Sequence, residues 1–95
     1  MHLVLREGFC EHSVVITMND RRVYEADGVT TDPMTARAGT VAVRASSTKA
    51  RVGVSVRPGN LAAVFDVDIA VHPHVAISLI GGGTVAFEKS SRPFS

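Results

Sequence analysis

The side chains whose types and spacing could do chemistry are two aspartates and two histidines. Asp66 and Asp68 flank one valine on a predicted strand, so their carboxylates share a face and could bind a cation or share a proton. His72 and His74 flank Pro73, and this spacing on an extended chain directs both imidazoles to one side. Because imidazole is a common zinc ligand, the sequence raises the hypothesis of a metal site at this turn.

A metal ion needs more ligands than one histidine pair supplies. His12 or Cys10 could add a ligand if the fold brings it close. Both pairs also have simpler explanations, because acidic residues on the wet face of a strand favour solubility and polar residues are common at turns. We therefore expect no catalytic, cofactor-binding or metal-binding residue and no bound cofactor. The speculative metal alternative uses Asp66, Asp68, His72 and His74.

Two further motifs of catalytic chemistry are weaker. Cys10 lies close to His12 in sequence and could form a nucleophile and base, but the carboxylate of the neighbouring Glu11 disfavours a thiolate. The glycines at 81–83 match a phosphate loop in composition only, because a phosphate loop leads into a helix and residues 84–87 continue as a strand. A tight hairpin explains the glycines, and we do not expect an enzyme.

Strands must position all of these residues, because apolar and polar residues alternate with a period of two from Thr40 to Phe87. Successive strand side chains point to opposite faces, so the pattern buries one face and leaves the other in water. The apolar positions expected to face the core are Val41, Val43, Ala45, Val52, Val54, Val56, Phe65, Val67, Ile69, Val71, Val75, Ile77, Leu79, Val85 and Phe87.

Turn-forming residues divide the chain into seven or eight predicted strands. The predicted strands are Leu3–Leu5, Ser13–Met18, Arg22–Glu25, Thr40–Ala45, Ala50–Arg57, Leu61–Val71, Val75–Ile80 and Thr84–Glu88. Turns are expected at residues 19–20, 46–49 and 58–60. Residues 35–37 are predicted to be extended, in preference to a short helical turn capped by residues 31–34.

The spacing of the turns predicts the fold class. They recur about every ten residues, and no segment is long enough for the helix that usually connects parallel strands. The sequence therefore predicts an all-β fold, an antiparallel β-sandwich of seven or eight strands that is immunoglobulin-like or similar. Residues 1–95 form a single domain in this prediction. Gly53 inside one strand marks a bulge or a close approach of two strands.

Composition argues against several classes of function. The formal net charge is +1, and the chain has no tryptophan, one tyrosine and four phenylalanines, so neither a nucleic-acid surface nor a row of aromatic platforms for sugars is expected. No apolar run approaches the roughly 20 residues of a membrane span, and no signal peptide is apparent. Cys10 is alone and arginine outnumbers lysine, so we expect a bacterial, cytoplasmic protein with no nucleic-acid or membrane partner.

Three arginines on the alternating strands raise the alternative of a cationic surface. Arg44, Arg51 and Arg57 should face solvent, where together they could meet an acidic partner. Asp66 and Asp68 on a neighbouring strand could instead neutralise them through cross-strand pairs, which is the arrangement that we favour.

The run from Val14 to Tyr24, followed by Gly28–Thr31, resembles the opening hairpin of small uncharacterised bacterial β-sandwich domains. The closing segment, Gly83–Phe87 with Arg92–Phe94, is similar to their ends. Asp20 stands where glycine is usual in the hairpin turn, which leaves the type of turn open. The resemblance implies a sandwich and carries no functional residues. The chain is also similar to immunoglobulin-like and transthyretin-like sandwiches, without the disulfide and core tryptophan of antibody domains.

With no catalytic constellation and many strand edges, the sequence favours a non-enzymatic interaction module. It would bind another protein or a second copy of itself, as in a homodimer, through an edge strand. A carbohydrate-binding sandwich is the first alternative, and it depends on the fold alone. A metal-binding protein that uses the turn of His72 and His74 is the second.

Overall fold

The computed structural model describes residues 1–44, 48–57, 59–80 and 83–92. Within these ranges the chain forms eight strands and no helix. The strands are β1 (His2–Leu5), β2 (His12–Met18), β3 (Arg21–Val29), β4 (Gly39–Ala42), β5 (Lys49–Arg57), β6 (Leu61–Asp68), β7 (His74–Ile80) and β8 (Thr84–Ser90). They make two four-stranded sheets that pack against each other, so the all-β prediction is confirmed.

The two sheets have the orders β4-β1-β7-β8 and β3-β2-β5-β6. The strand pairs are antiparallel except β1 and β7, which run parallel with His2 beside His74 and Leu5 beside Ile77. The sequence predicts mainly antiparallel neighbours, and this parallel pair is the exception among the described strands. The chain passes through the whole second sheet between β1 and β7, so this parallel pair needs no crossover helix.

β2 and β3 form the predicted hairpin. Both turn residues have positive φ, 52° for Asn19 and 66° for Asp20, as a two-residue type I′ turn requires. β3 continues to Val29 instead of ending at Glu25. Two register shifts let it stay beside β2, and one of them includes Gly28 at a φ of 66°.

The core lies between the two sheets and is built from the alternating apolar residues of β2, β5, β6 and β7, together with β1. The largest fully buried side chains are Leu3, Leu5, Ile16, Ile77, Val14, Val52, Val54, Val56, Val67 and Val75. The predicted alternation is confirmed over β5 and through most of β7. Within the described ranges no polar or charged residue is buried, so burial of apolar surface is the main stabilising term of the fold.

β6 ends at Asp68, short of its predicted end at Val71. The backbone N–H groups of Val71 and His72 both donate to the carbonyl of Asp68, at 3.1 and 2.7 Å, and this turn leads the chain to the other sheet. Val71 is therefore 53% exposed, and its assignment to the core is wrong.

Phe87 on β8 is 43% exposed, so its prediction as a buried core residue is also wrong. Its ring stacks on that of Phe65 on β6, with 4.0 Å between ring centroids and 11° between ring planes. β6 and β8 are both edge strands, and the stacked rings cover the core where these two edges meet.

The segment between β3 and β4 is a tight loop, so the prediction of an extended segment at residues 35–37 is wrong. Asp32 and Arg37 form an isolated antiparallel bridge, and the N–H of Ala36 donates to the carbonyl of Asp32 at 2.8 Å. The Asp32 carboxylate accepts from the N–H of Met34 at 2.8 Å. This capping contact agrees with the alternative in which residues 31–34 begin one turn.

β4 ends at Ala42, earlier than predicted, although pairing with the first strand continues. The N–H of Val43 donates to the carbonyl of Met1 and the Met1 ammonium donates to the carbonyl of Val43, both at 2.8 Å. Lys49 already belongs to β5, so its assignment to the predicted turn at 46–49 is wrong. Several predictions fall on residues outside the described ranges, namely Ala45, Ser46, Ser47, Pro58, Gly81, Gly82, Pro93 and Phe94.

Candidate functional site

A concave region of about 760 Å³ lies where the β2–β3 turn, the start of β5, the end of β6 and β8 come together. Its ionisable lining residues are Asp20, Lys49, Arg51, Asp66, Asp68, His72 and Lys89, and we call it the charged cleft. The cleft contains three of the four residues of the speculative metal alternative. Three basic side chains accompany its three aspartates, so the charges of the lining nearly balance.

Two hydrogen bonds between Asn19 and Arg51 join the parts of the chain that border the cleft. The N–H of Asn19 donates to the carbonyl of Arg51 at 2.8 Å, and the N–H of Arg51 donates to Oδ1 of Asn19 at 2.9 Å. These contacts hold the β2–β3 turn against the start of β5. The hairpin turn that the sequence predicts therefore places Asp20 at the cleft.

Arg51 and Asp66 form the cross-strand pair that we favour from the sequence. They are register partners on β5 and β6, and Nε of Arg51 lies 3.4 Å from Oδ1 of Asp66. Lys49 and Asp68 are register partners on the same two strands. Arg44 and Arg57 are exposed, as predicted, but Arg57 lies opposite Ser13 on β2. The exposed Arg51–Asp66 pair contributes little to stability, since water and salt screen it.

Asp68 stabilises the turn that follows β6. Its Oδ1 accepts a hydrogen bond from the N–H of Ala70 at 3.2 Å, in addition to the contacts made by its carbonyl group. The residue therefore closes the turn that ends β6, in the way that aspartate commonly stabilises turns. Asp66 and Asp68 share a face of β6, as predicted, but each has a separate structural contact.

His72 and His74 have different surroundings. His72 lines the charged cleft, whereas the ring of His74 stacks on that of His2 with 5.3 Å between centroids and 13° between planes. The sequence does not suggest this neighbour, because it depends on the parallel pairing of β1 with β7. Across the described ranges, no group of three or more histidine, cysteine, aspartate or glutamate side chains is placed to hold a metal ion.

The exposed Cys10 is close to His12, but the contact is made by its backbone. The N–H of Cys10 donates to Nδ1 of His12 at 2.8 Å, and the His12 ring meets the ring of Phe9 edge-on at 6.2 Å. Nδ1 of His12, the nitrogen that would face a nucleophile, therefore accepts a hydrogen bond that orders the loop before β2.

Two threonines of the Gly28–Thr31 segment also order this loop. The Thr31 hydroxyl donates to the carbonyl of Arg6 at 2.6 Å and accepts from the N–H of Phe9 at 3.0 Å. The Thr30 hydroxyl accepts from the N–H of Glu11 at 2.9 Å. The segment that carries the family resemblance therefore serves the fold, by satisfying backbone groups of the β1–β2 loop.

The chemistry available to the charged cleft is that of solvated surface charges. Catalytic acids and bases usually gain their reactivity from burial, and among the described residues no charged one is buried. Lys89 lies over the ring of Phe87, with its Nζ 5.7 Å from the ring centroid. The cleft can attract charged groups of a partner.

Within the described part of the chain, no helix is long and apolar enough to cross a membrane. No protein-family model, no curated protein and no solved structure matches the chain. The resemblance to small bacterial β-sandwich domains therefore stays a prediction.

Proposed function

We propose that the protein is a non-enzymatic interaction module that associates through the edge strand β6. The proposal is supported by one segment, Leu61–Phe65, which is an uncharged part of an edge strand and carries Val64 at 67% exposure. An edge strand presents N–H and C=O groups that can pair with a strand of a partner. An exposed valine beside these groups adds apolar surface to such a pairing.

The other three edges carry features that hinder pairing. β4 has only four residues. β3 has two register shifts and the charged residues Arg22 and Glu25, and β8 carries Glu88 beside Lys89. Short length, bulges and charges are the usual protections of edge strands, and β6 has none of them before Asp66.

The occupant that we propose is β6 of a second copy, paired antiparallel around a two-fold axis at Val64. In this register Val64 meets its own copy and Asp66 lies opposite Ala62, so no carboxylate faces another carboxylate. An axis at Asp66 would place two like charges opposite each other, and a shift by one residue would exchange the two faces of the strand. Charge therefore favours the register centred on Val64.

We also propose an immunoglobulin-like or related sandwich and a bacterial, cytoplasmic protein. Two packed four-stranded sheets agree with an immunoglobulin-like or related sandwich. The lone, exposed Cys10 agrees with a cytoplasmic protein, and the excess of arginine over lysine agrees with a bacterial one. The carbohydrate alternative needs exposed aromatic rings, and Phe87 is the only phenylalanine of the described residues among the exposed large apolar side chains. We therefore prefer the interaction module.

Size-exclusion chromatography with light scattering, over a range of protein concentrations, tests the proposal. We expect a mass that rises from monomer to dimer as the concentration increases. Val64→Lys should abolish this rise, because it places two ammonium groups beside the two-fold axis. Val64→Thr keeps a β-branched side chain at the edge and should retain most of the association.

Val71→Lys is the matched control, since Val71 is an exposed valine that lies outside the strands. It adds the same charge and should leave the dimer intact. A strict monomer at high micromolar concentration would contradict self-association through β6. Equal loss of the dimer in Val64→Lys and Val71→Lys would instead point to net charge and would also count against the β6 edge.

A further inference from the structure

The stacked pair of His2 and His74 lies on the outer face of the first sheet. His2 and His74 are register partners on the parallel strands β1 and β7, and their neighbours in the same row are Ala42 on β4 and Ser90 on β8. Leu3 and Val75, the next residues along these two strands, are fully buried in the core. The two imidazoles therefore project from the opposite face, away from the core.

Both rings are available to a ligand. Among the described residues, neither ring takes part in a hydrogen bond, and stacking is the contact that the structure gives each of them. His2 is exposed and His74 is half-buried. By contrast, Nδ1 of His12 already accepts a backbone hydrogen bond. An imidazole nitrogen with no other partner, on a ring that water reaches, is the state in which histidine binds a metal ion.

The spacing of the two rings suits chelation. Two nitrogens bound to one tetrahedral metal ion lie roughly 3.4 Å apart, because each Zn–N bond is about 2.0–2.1 Å long. The ring centroids are 5.3 Å apart. A rotation of each ring about its χ2 torsion, which is broad for histidine, can turn one nitrogen of each ring toward a common point.

The surrounding charges do not oppose a cation strongly. The neighbours Ala42 and Ser90 are uncharged, and Glu88 lies diagonally from His74 on the same face, at about 7–8 Å. The Met1 ammonium, which precedes His2 in the chain, is directed to the carbonyl of Val43. Arg6 follows the end of β1, where it lines a depression of about 230 Å³ together with Glu88.

We propose that His2 and His74 bind one divalent transition-metal ion of the class that imidazole prefers, Zn²⁺, Ni²⁺ or Cu²⁺, with water in the remaining positions. The site joins the first and seventh strands of one sheet and is independent of association through β6. The sequence suggests a metal site made by His72 and His74. The fold instead gives His74 a different histidine, His2, as its neighbour.

Isothermal titration calorimetry with Zn²⁺ and with Ni²⁺, on the full chain without a histidine tag and without added N-terminal residues, tests the site. We expect a single site with a dissociation constant on the order of 10 µM, as suits two imidazole ligands. His2→Gln and His74→Gln should each weaken binding by about tenfold or more, which corresponds to a loss of about 1.4 kcal/mol.

His72→Gln and His12→Gln are the matched controls, because they remove the other two histidines of the chain. The dissociation constant of both variants should remain within about twofold of that of the original chain, a difference well below 1.4 kcal/mol. Equal weakening in all four variants, or no binding to the original chain at millimolar metal, would overturn the proposal.

A spectroscopic readout keeps the proposal testable if His74→Gln fails to fold. Proton–nitrogen spectra of the histidine rings in the unmodified chain should change on addition of Zn²⁺ for His2 and His74 only. Changes confined to His72 or His12 would assign the metal to another place and contradict the site.

Discussion

Gly53 on β5 lies directly opposite Thr17 on β2, and a Cβ atom at Gly53 would come within 2.6 Å of the Thr17 hydroxyl oxygen. The sequence predicts either a bulge or a close approach at Gly53, and the structure shows a close approach to Thr17. The threonine cannot easily move away, because its branched Cβ restricts the χ1 torsion.

Gly53→Ala should therefore destabilise the protein, although alanine in a strand normally has the entropic advantage over glycine. We expect the free energy of unfolding to fall by about 1–3 kcal/mol, as in other overpacked sites. Urea denaturation measures this change. In a Thr17→Ala background the same substitution should cost at least about 1 kcal/mol less, since the two residues are in contact. Equal losses in both backgrounds would mean that the contact does not limit the site.

Gly8 and Gly28 provide a second comparison, because both have positive φ but different surroundings. A Cβ at Gly8, with a φ of 90°, would overlap the backbone carbonyl of Leu79, whereas a Cβ at Gly28, with a φ of 66°, meets nothing within 4 Å. Gly28→Ala should cost about 1–2 kcal/mol for the left-handed backbone alone. Gly8→Ala should cost about 1–3 kcal/mol more, since a backbone carbonyl must also move.

Thermal and urea unfolding of the two glycine variants, measured side by side, test this ranking. If the alanine at position 8 is no worse than the alanine at position 28, the close packing of the β1–β2 loop against β7 is not a strong constraint.

Ile77 and Ile80 lie on the same strand, but the side chain of Ile77 is 0% exposed and that of Ile80 is 57% exposed. Ile77→Ala should lower the free energy of unfolding by about 2–5 kcal/mol, because it removes buried methylene groups and leaves a cavity between the sheets. Ile80→Ala should change it by no more than about 0.5 kcal/mol. Guanidinium denaturation of both variants is the measurement. Comparable losses would contradict the assignment of opposite faces in β7.

A substitution in the turn between β2 and β3 should raise the stability of the protein. Asp20 has a φ of 66°, a conformation that glycine adopts without a steric cost. Asp20→Gly creates Asn-Gly, the sequence that a type I′ turn prefers, and should stabilise the protein by about 0.5–1 kcal/mol.

Asn19→Gly is the contrasting variant for that turn. It also suits a positive φ, but it removes the side chain that accepts the N–H of Arg51 at 2.9 Å. It should therefore stabilise less than Asp20→Gly, or destabilise. A larger gain at position 19 in urea denaturation would show that the contact with Arg51 contributes nothing to stability.

The sequence by itself determined the elements that depend on local patterns. Alternation with a period of two identified β5 and the inward residues of β7, and the Asn19–Asp20 turn fixed the first hairpin, because such signals depend only on near neighbours in the chain. The cross-strand pair of Arg51 with Asp66 was also predictable, since the two strands are consecutive.

Only the tertiary structure decided which distant strands became neighbours. The parallel pairing of β1 with β7 brings His2 to His74, and no local pattern in the sequence encodes a contact between residues so far apart. It also decided where β6 stopped, because the turn at Asp68 carries the chain to the other sheet and exposes Val71 against the alternation. Which strands became edges, and hence which surfaces are open to a partner, follows from that same global order of strands.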